Sequence, residues 1–66
     1  MKIYIPYFDS AWRIQEAESQ NARKLGRYWN VNGCIYGPTA YTAREGACAY
    51  IEKDYPLAAR LEYLPA

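Results

Sequence analysis

AWRIQEAESQNARKL, residues 11–25, is the part of the chain on which the choice of fold class depends most. Its apolar residues recur at helical spacing and form a stripe that continues to the next tryptophan: Ala11, Ile14, Ala22, Leu25 and Trp29. Its charged and polar residues fill the opposite face, as in an amphipathic helix. Gly26 is a helix stop signal directly after Leu25. The pattern predicts one helix over about 10–25.

A hairpin is the alternative interpretation of the same stretch. Asp9 and Ser10 are turn-forming residues, and Ala11 to Gln15 could then pair back as a second strand. A shorter helix capped by Ser19 would follow.

The segments on either side of residues 11–25 have clearer secondary-structure signals. Residues 2–8, KIYIPYF, predict a strand that is apolar on both faces. Residues 27–42 are rich in strand-forming side chains, and Asn32-Gly33 is typical of a type I′ hairpin turn. Gly37-Pro38 should bend or end the second strand of this hairpin.

The most regular helical pattern covers residues 42–54. Thr42 and Glu45 match a capping box, and Gly46 inside the helix indicates close approach to a neighbouring element. Pro56 should end this helix, and Arg60 to Leu64 form either a final strand or a helical turn. The predicted order is β-α-β-β-α-β over a single domain, 1–66. This corresponds to an α+β fold, with a small antiparallel or mixed sheet of about 3–4 strands and two helices packed on one face.

The composition argues against an enzyme. The chain has no histidine, so no Ser-His, Cys-His or His-metal arrangement can form. The four glycines are scattered and do not form a phosphate loop. We therefore expect no catalytic residue, no metal and no cofactor. Cys34 and Cys48 are predicted to be small buried thiols, with a disulfide as the alternative. No apolar run approaches the length of a membrane span and no signal peptide is recognisable, so we predict a cytoplasmic protein.

The aromatic content points to a binding surface. Eleven aromatic residues, eight of them tyrosines, exceed what a 66-residue core can bury with every hydroxyl satisfied. Tyrosine, tryptophan and arginine are enriched at binding hot spots. The predicted binding site surrounds the Asn32-Gly33 hairpin and consists of Arg27, Tyr28, Trp29, Tyr36 and Tyr41. A protein is the expected partner, and homodimerisation stays open.

A single-stranded nucleic acid is the alternative partner. Between Ser19 and Ala43 the chain has three basic residues and no acidic one, although the net charge of the whole chain is only +1. Exposed aromatic rings beside such a basic rim could stack on bases.

Two further segments carry a resemblance. Tyr36-Gly37-Pro38 ends a strand, and Thr42-Ala43-Arg44-Glu45-Gly46-Ala47 opens an alanine-rich helix that continues to Tyr50-Ile51. With a strand that ends in Gly-Pro and a capping box that opens an alanine-rich helix, the chain resembles small stand-alone phage proteins such as anti-CRISPR inhibitors. The resemblance implies a non-enzymatic inhibitor that occupies a surface of a host nucleoprotein complex. It implies no particular functional residue.

Overall fold

The structure, a computed structural model, describes residues 1–54 and 64–65. The strands are β1 (Lys2–Asp9), β2 (Ala11–Glu18), β3 (Ala22–Leu25), β4 (Tyr28–Val31), β5 (Cys34–Ile35) and β6 (Leu64–Pro65). The described helix, α1, runs from Arg44 to Asp54, and a single 3-10 turn covers Ser19–Asn21. The architecture is therefore mainly β.

The first sheet is built on a long hairpin. Strands β1 and β2 pair antiparallel over their whole length, from Lys2 opposite Glu18 to Asp9 opposite Ala11. Ser10 closes the hairpin with a positive φ of 64°. The short β6 adds to β2 in parallel, so the strand order is β1-β2-β6.

The second sheet has the order β3-β4-β5 and is antiparallel throughout. Gly26 starts the turn between β3 and β4 with φ of 62°, as the first central residue of a type II′ turn does. Asn32 and Gly33 both have positive φ between β4 and β5, as a type I′ turn requires. The hairpin predicted from Asn32-Gly33 is therefore confirmed.

Strand β1 lies between two apolar layers. Its odd-numbered residues Ile3 and Ile5 are buried together with Val31 of the second sheet. On the other face, the buried Ile14 of β2 packs with Ala47 and Ile51 of α1. The helix and the second sheet thus cover opposite faces of the β1–β2 hairpin. This arrangement explains why residues 2–8 are apolar on both faces.

The predicted fold class, α+β with one small sheet of about 3–4 strands and two helices packed on one face, is wrong. The strands form two sheets, and residues 1–54 and 64–65 contain a single α-helix. Ser10 lies in a hairpin turn, residues 11–25 form β2, the 3-10 turn and β3, and Gly26 belongs to a second hairpin turn instead of a helix terminus. Cross-strand pairing explains the outcome. Ile14 lies opposite Pro6 and Trp12 opposite Phe8, so β2 buries one face while supplying β1 with a hydrogen-bonded neighbour.

The second predicted helix, 42–54, is present from Arg44 onward. The close approach predicted at Gly46 is also found, since a Cβ at this position would lie 3.0 Å from the Tyr41 ring. The predicted helix end at Pro56 lies outside the described residues, as does most of the predicted strand Arg60 to Leu64. Nowhere in the described ranges is there a helix long and apolar enough to cross a membrane.

Candidate functional site: an aromatic groove

A groove of about 230 Å³ opens where the end of β1 meets the second sheet. Six aromatic side chains line it: Tyr7, Phe8, Trp12, Tyr28, Tyr36 and Tyr50. Pro6, Ile35, Gly37 and Pro38 complete the described lining. We call this feature the aromatic groove. None of these residues is charged, so the described lining offers ring faces, aliphatic carbon and phenol groups.

The rings of the groove contact one another edge to face. Tyr7 and Tyr36 have centroids 4.8 Å apart and planes inclined by 65°. Trp12 contacts Phe8 at 5.8 Å and Tyr50 at 6.1 Å in the same manner. These geometries are favourable for aromatic pairs. The groove is therefore built from side chains that already hold one another in place.

Three backbone contacts and one side-chain hydrogen bond bring the walls of the groove together. Gly37 is buried against β1, where a Cβ would overlap the carbonyl oxygen of Pro6. The backbone of Trp29 accepts a hydrogen bond from the Tyr36 amide at 2.8 Å and donates one to the Gly37 carbonyl at 3.1 Å. The Lys24 ammonium donates to the Pro38 carbonyl at 2.7 Å. The segment after β5 is thus fixed to both sheets.

Two tyrosines that line the groove, Tyr7 and Tyr36, have pKa values above the ordinary value for tyrosine. Burial raises the pKa of Tyr7, the nearby Arg13 partly offsets this, and Asp9 adds to it. Burial is also the main cause of the raised pKa of Tyr36, with smaller contributions from Cys34 and Tyr7. Both groups are therefore neutral hydrogen-bonding phenols at physiological pH.

The mouth of the groove is unusually apolar for a surface. The exposed large hydrophobic side chains in the described part of the chain are Met1, Phe8 (65% exposed), Leu25 (57%), Tyr28 (50%) and Ile35 (68%). Three of them, Phe8, Tyr28 and Ile35, line the groove. Leu25 lies directly opposite Tyr28 on the neighbouring strand. Exposed apolar residues that cluster in this way mark interaction surfaces.

The predicted binding residues are only partly brought together. Tyr28 and Tyr36 line the groove, and the exposed Arg27 directly precedes Tyr28. Trp29 instead packs against the buried Ile3, Ile5 and Val31.

Tyr41 lies in the second core cluster, with Ile14, Ala47 and Ile51. Its backbone forms paired 2.8 Å hydrogen bonds with Tyr4, and its ring contacts Gly46 and Tyr50. It therefore packs between β1 and α1 and is not among the groove residues.

Sequence reasoning missed the other side of the groove. Tyr7, Phe8 and Trp12 come from the β1–β2 hairpin, and Tyr50 comes from α1. The Asp9-Ser10 turn was the available signal, because a hairpin there places Phe8 opposite Trp12.

Both cysteines are free. Cys34 is exposed on β5, so its predicted burial is wrong, whereas Cys48 on α1 is partly buried. Among residues 1–54 and 64–65, no cluster of three or more histidine, cysteine, aspartate or glutamate side chains could hold a metal ion.

Comparison with known proteins gives no relative: no family model, no curated protein and no solved structure matches the chain. The functional argument therefore depends on the groove and its surroundings.

Proposed function

We propose that this protein is a non-catalytic protein-binding module whose partner docks in the aromatic groove. The observation that carries the proposal is the convergence of Phe8, Tyr28 and Ile35, three exposed apolar side chains from separate strands, on one concave surface. Exposing such a cluster costs solvation free energy in the isolated chain, and a partner would recover it by covering the cluster.

The size of the groove favours a protein anchor over a small molecule. Small-molecule sites usually enclose about 300–1,000 Å³ and bury most of the ligand. The groove has only about 230 Å³ and is wide open at its mouth, where Phe8 and Ile35 are about two-thirds exposed. A groove of this kind accommodates one or two side chains of a partner, and Leu25 extends the contact area.

The chemistry of the lining favours protein over nucleic acid. A groove that binds single strands tracks the phosphate backbone with positive charge. The described lining itself has no lysine or arginine, Asp9 is exposed next to Phe8, and the nearby Arg23, Lys24 and Arg27 are confined to the β3–β4 hairpin on one side of the groove. Aliphatic Ile35 and Leu25 also suit a protein side chain better than a base. Single-stranded nucleic acid remains the alternative to be measured.

The experiment first captures partner proteins from a lysate of the source cell on the immobilised wild-type protein. It then compares the binding of a purified partner to the wild type and to the double variant Phe8→Ser/Ile35→Ser. Ile35 is exposed, so Ile35→Ser should cost at most about 0.5 kcal/mol of stability. Phe8→Ser also removes the ring contact with Trp12 and should cost about 0.5–1.5 kcal/mol. Ala49→Ser, on the exposed face of α1, is the control. A partner purified after capture should bind the wild type and the control but not the double variant, measured by isothermal titration calorimetry.

Two results would count against the proposal. Equal affinity of the purified partner for a folded double variant would remove the groove as its site. Binding of oligothymidine that weakens with salt and disappears in the double variant would assign the groove to nucleic acid. The inhibitory role and the cytoplasmic location implied or predicted above belong to the same proposal and await the identity of the partner.

A further inference from the structure

The strongest additional feature is the charge beside the groove. The β3–β4 hairpin, residues 22–31, carries Arg23, Lys24 and Arg27 and no acidic residue. We call it the basic hairpin. It also contributes Leu25 and Tyr28 to the exposed apolar cluster, so charge and apolar surface occur on one element.

The cations of the basic hairpin are not neutralised within the described part of the chain. The acids of the β1–β2 hairpin each have a cationic partner: Glu18 with the N-terminus at 3.3 Å, Glu16 with Lys2 at 3.5 Å, and Asp9 with Arg13 at 3.9 Å. Arg23 and Arg27, in contrast, have no carboxylate within ion-pair distance among the described residues.

Strand register fixes how this charge lies relative to the groove. Arg23 and Leu25 alternate with Lys24 along β3, so both point to the outer face of the second sheet. Arg23 pairs with Asn30, which in turn pairs with Ile35 on β5. Arg23 is therefore two strands from Ile35 on the same face, about 10 Å away.

We propose that the occupant of the aromatic groove is a short acidic protein segment, which inserts a large apolar side chain beside Phe8 and Ile35 and places carboxylates against Arg23 and Arg27. The inference rests on the proposed function and specifies the partner. Uncompensated guanidinium groups attract carboxylates and bind them in a bidentate manner. An extended chain covers about 10 Å in three residues, so the acid should lie within about four positions of the apolar anchor.

The experiment selects short random peptides displayed on phage against the immobilised wild-type protein. Selected peptides should combine a leucine, phenylalanine, tyrosine or tryptophan with aspartate or glutamate at the stated spacing. Synthetic versions are then titrated by fluorescence anisotropy against the wild type, Arg23→Glu/Arg27→Glu and the matched control Arg44→Glu. Arg44 is an exposed arginine on α1, outside the groove.

The charge-reversal pair should weaken binding about tenfold or more, because each attraction becomes a repulsion, while Arg44→Glu should have little effect. Affinity for the wild type should fall as salt is added. Circular dichroism checks that the variants are folded, and a peptide in which lysines replace the acids should regain affinity for Arg23→Glu/Arg27→Glu.

The remaining outcomes separate this inference from the proposed function. Peptides that lose affinity in Phe8→Ser/Ile35→Ser but not in Arg23→Glu/Arg27→Glu would leave the groove as a protein site and overturn the acidic partner. Peptides whose affinity is unchanged in both double variants would show that the groove is not their binding site, and would contradict the proposed function as well. Selection of no peptide would also contradict the inference, and oligothymidine binding by the same protein would then replace protein by nucleic acid.

Discussion

The rings of Tyr7 and Tyr36 meet edge to face, with centroids 4.8 Å apart. Tyr7 belongs to the β1–β2 hairpin, and Tyr36 directly follows β5 of the second sheet. The contact therefore joins the two sheets at the aromatic groove. Four predictions test the packing at this junction and the packing of α1 on the first sheet.

Gly37→Ala should destabilise the protein by about 3 kcal/mol or more, because the added methyl group would overlap the backbone of Pro6, which has little freedom to move. Gly26→Ala is the control. Position 26 has open space around it, so alanine there should cost only the strain of a positive φ, about 1–2 kcal/mol. Urea unfolding followed by circular dichroism measures both, and equal losses would contradict the close approach at Gly37.

Trp29→Ala should cost about 3 kcal/mol, whereas Tyr28→Ala should cost less than about 1 kcal/mol. Trp29 packs on Ile3, Ile5 and Val31, and Tyr28 is half exposed at the mouth of the groove. The free energies of unfolding of the two variants provide the measurement. If Tyr28→Ala were the more harmful change, the assignment of these neighbours to core and groove would be reversed.

Ile51→Ala should cost about 2–5 kcal/mol, since Ile51 is fully buried between α1 and the first sheet. Ile35→Ala should change stability by at most about 0.5 kcal/mol. Thermal unfolding of both variants tests whether the helix packs on the hairpin as described. A small effect at Ile51 would show that the helix contributes little to the core.

High pH should weaken the fold through Tyr7 and Tyr36. Burial raises the pKa of both phenols above the ordinary value of 10.0, so the folded state keeps these protons after the unfolded chain has lost them. Their stabilising contribution is complete below pH 10.0 and is lost as the pH rises through the raised pKa values.

An ultraviolet titration of phenolate absorbance checks this expectation. Some tyrosines of the native protein should ionise at a higher pH than they do in the unfolded protein. Tyr7→Phe and Tyr36→Phe should each remove part of the absorbance change at that higher pH. Protein unfolded in urea is the reference, because its tyrosines are all solvated. A native titration that coincides with the unfolded one would disprove the burial of these two groups.

Local signals in the sequence were sufficient to predict the structure where a residue type determines the backbone conformation or the packing at its own position. Asn32-Gly33 predicted a turn because both positions need positive φ, and the turn is present. The regular pattern before Asp54 predicted α1, and Gly46 predicted a close neighbour, which is Tyr41. The aromatic surplus predicted exposed rings, and Phe8 and Tyr28 are exposed. The lack of histidine excludes histidine-dependent mechanisms from the sequence alone.

Tertiary structure decided what residues 11–25 became. Their apolar spacing fits a helix, yet a helix would have left β1 without β2 as its hydrogen-bonded neighbour along one edge. The gain comes from pairing Trp12 with Phe8 and Ile14 with Pro6 across the Ser10 turn, and the apolar spacing within residues 11–25 does not contain it. The packing of the second sheet on this hairpin placed Tyr28 and Tyr36 next to Phe8 and Trp12 and left Trp29 in the core. The sequence by itself determined which aromatic side chains the protein has, and the packing of the two sheets and α1 against one another determined which of them share a surface.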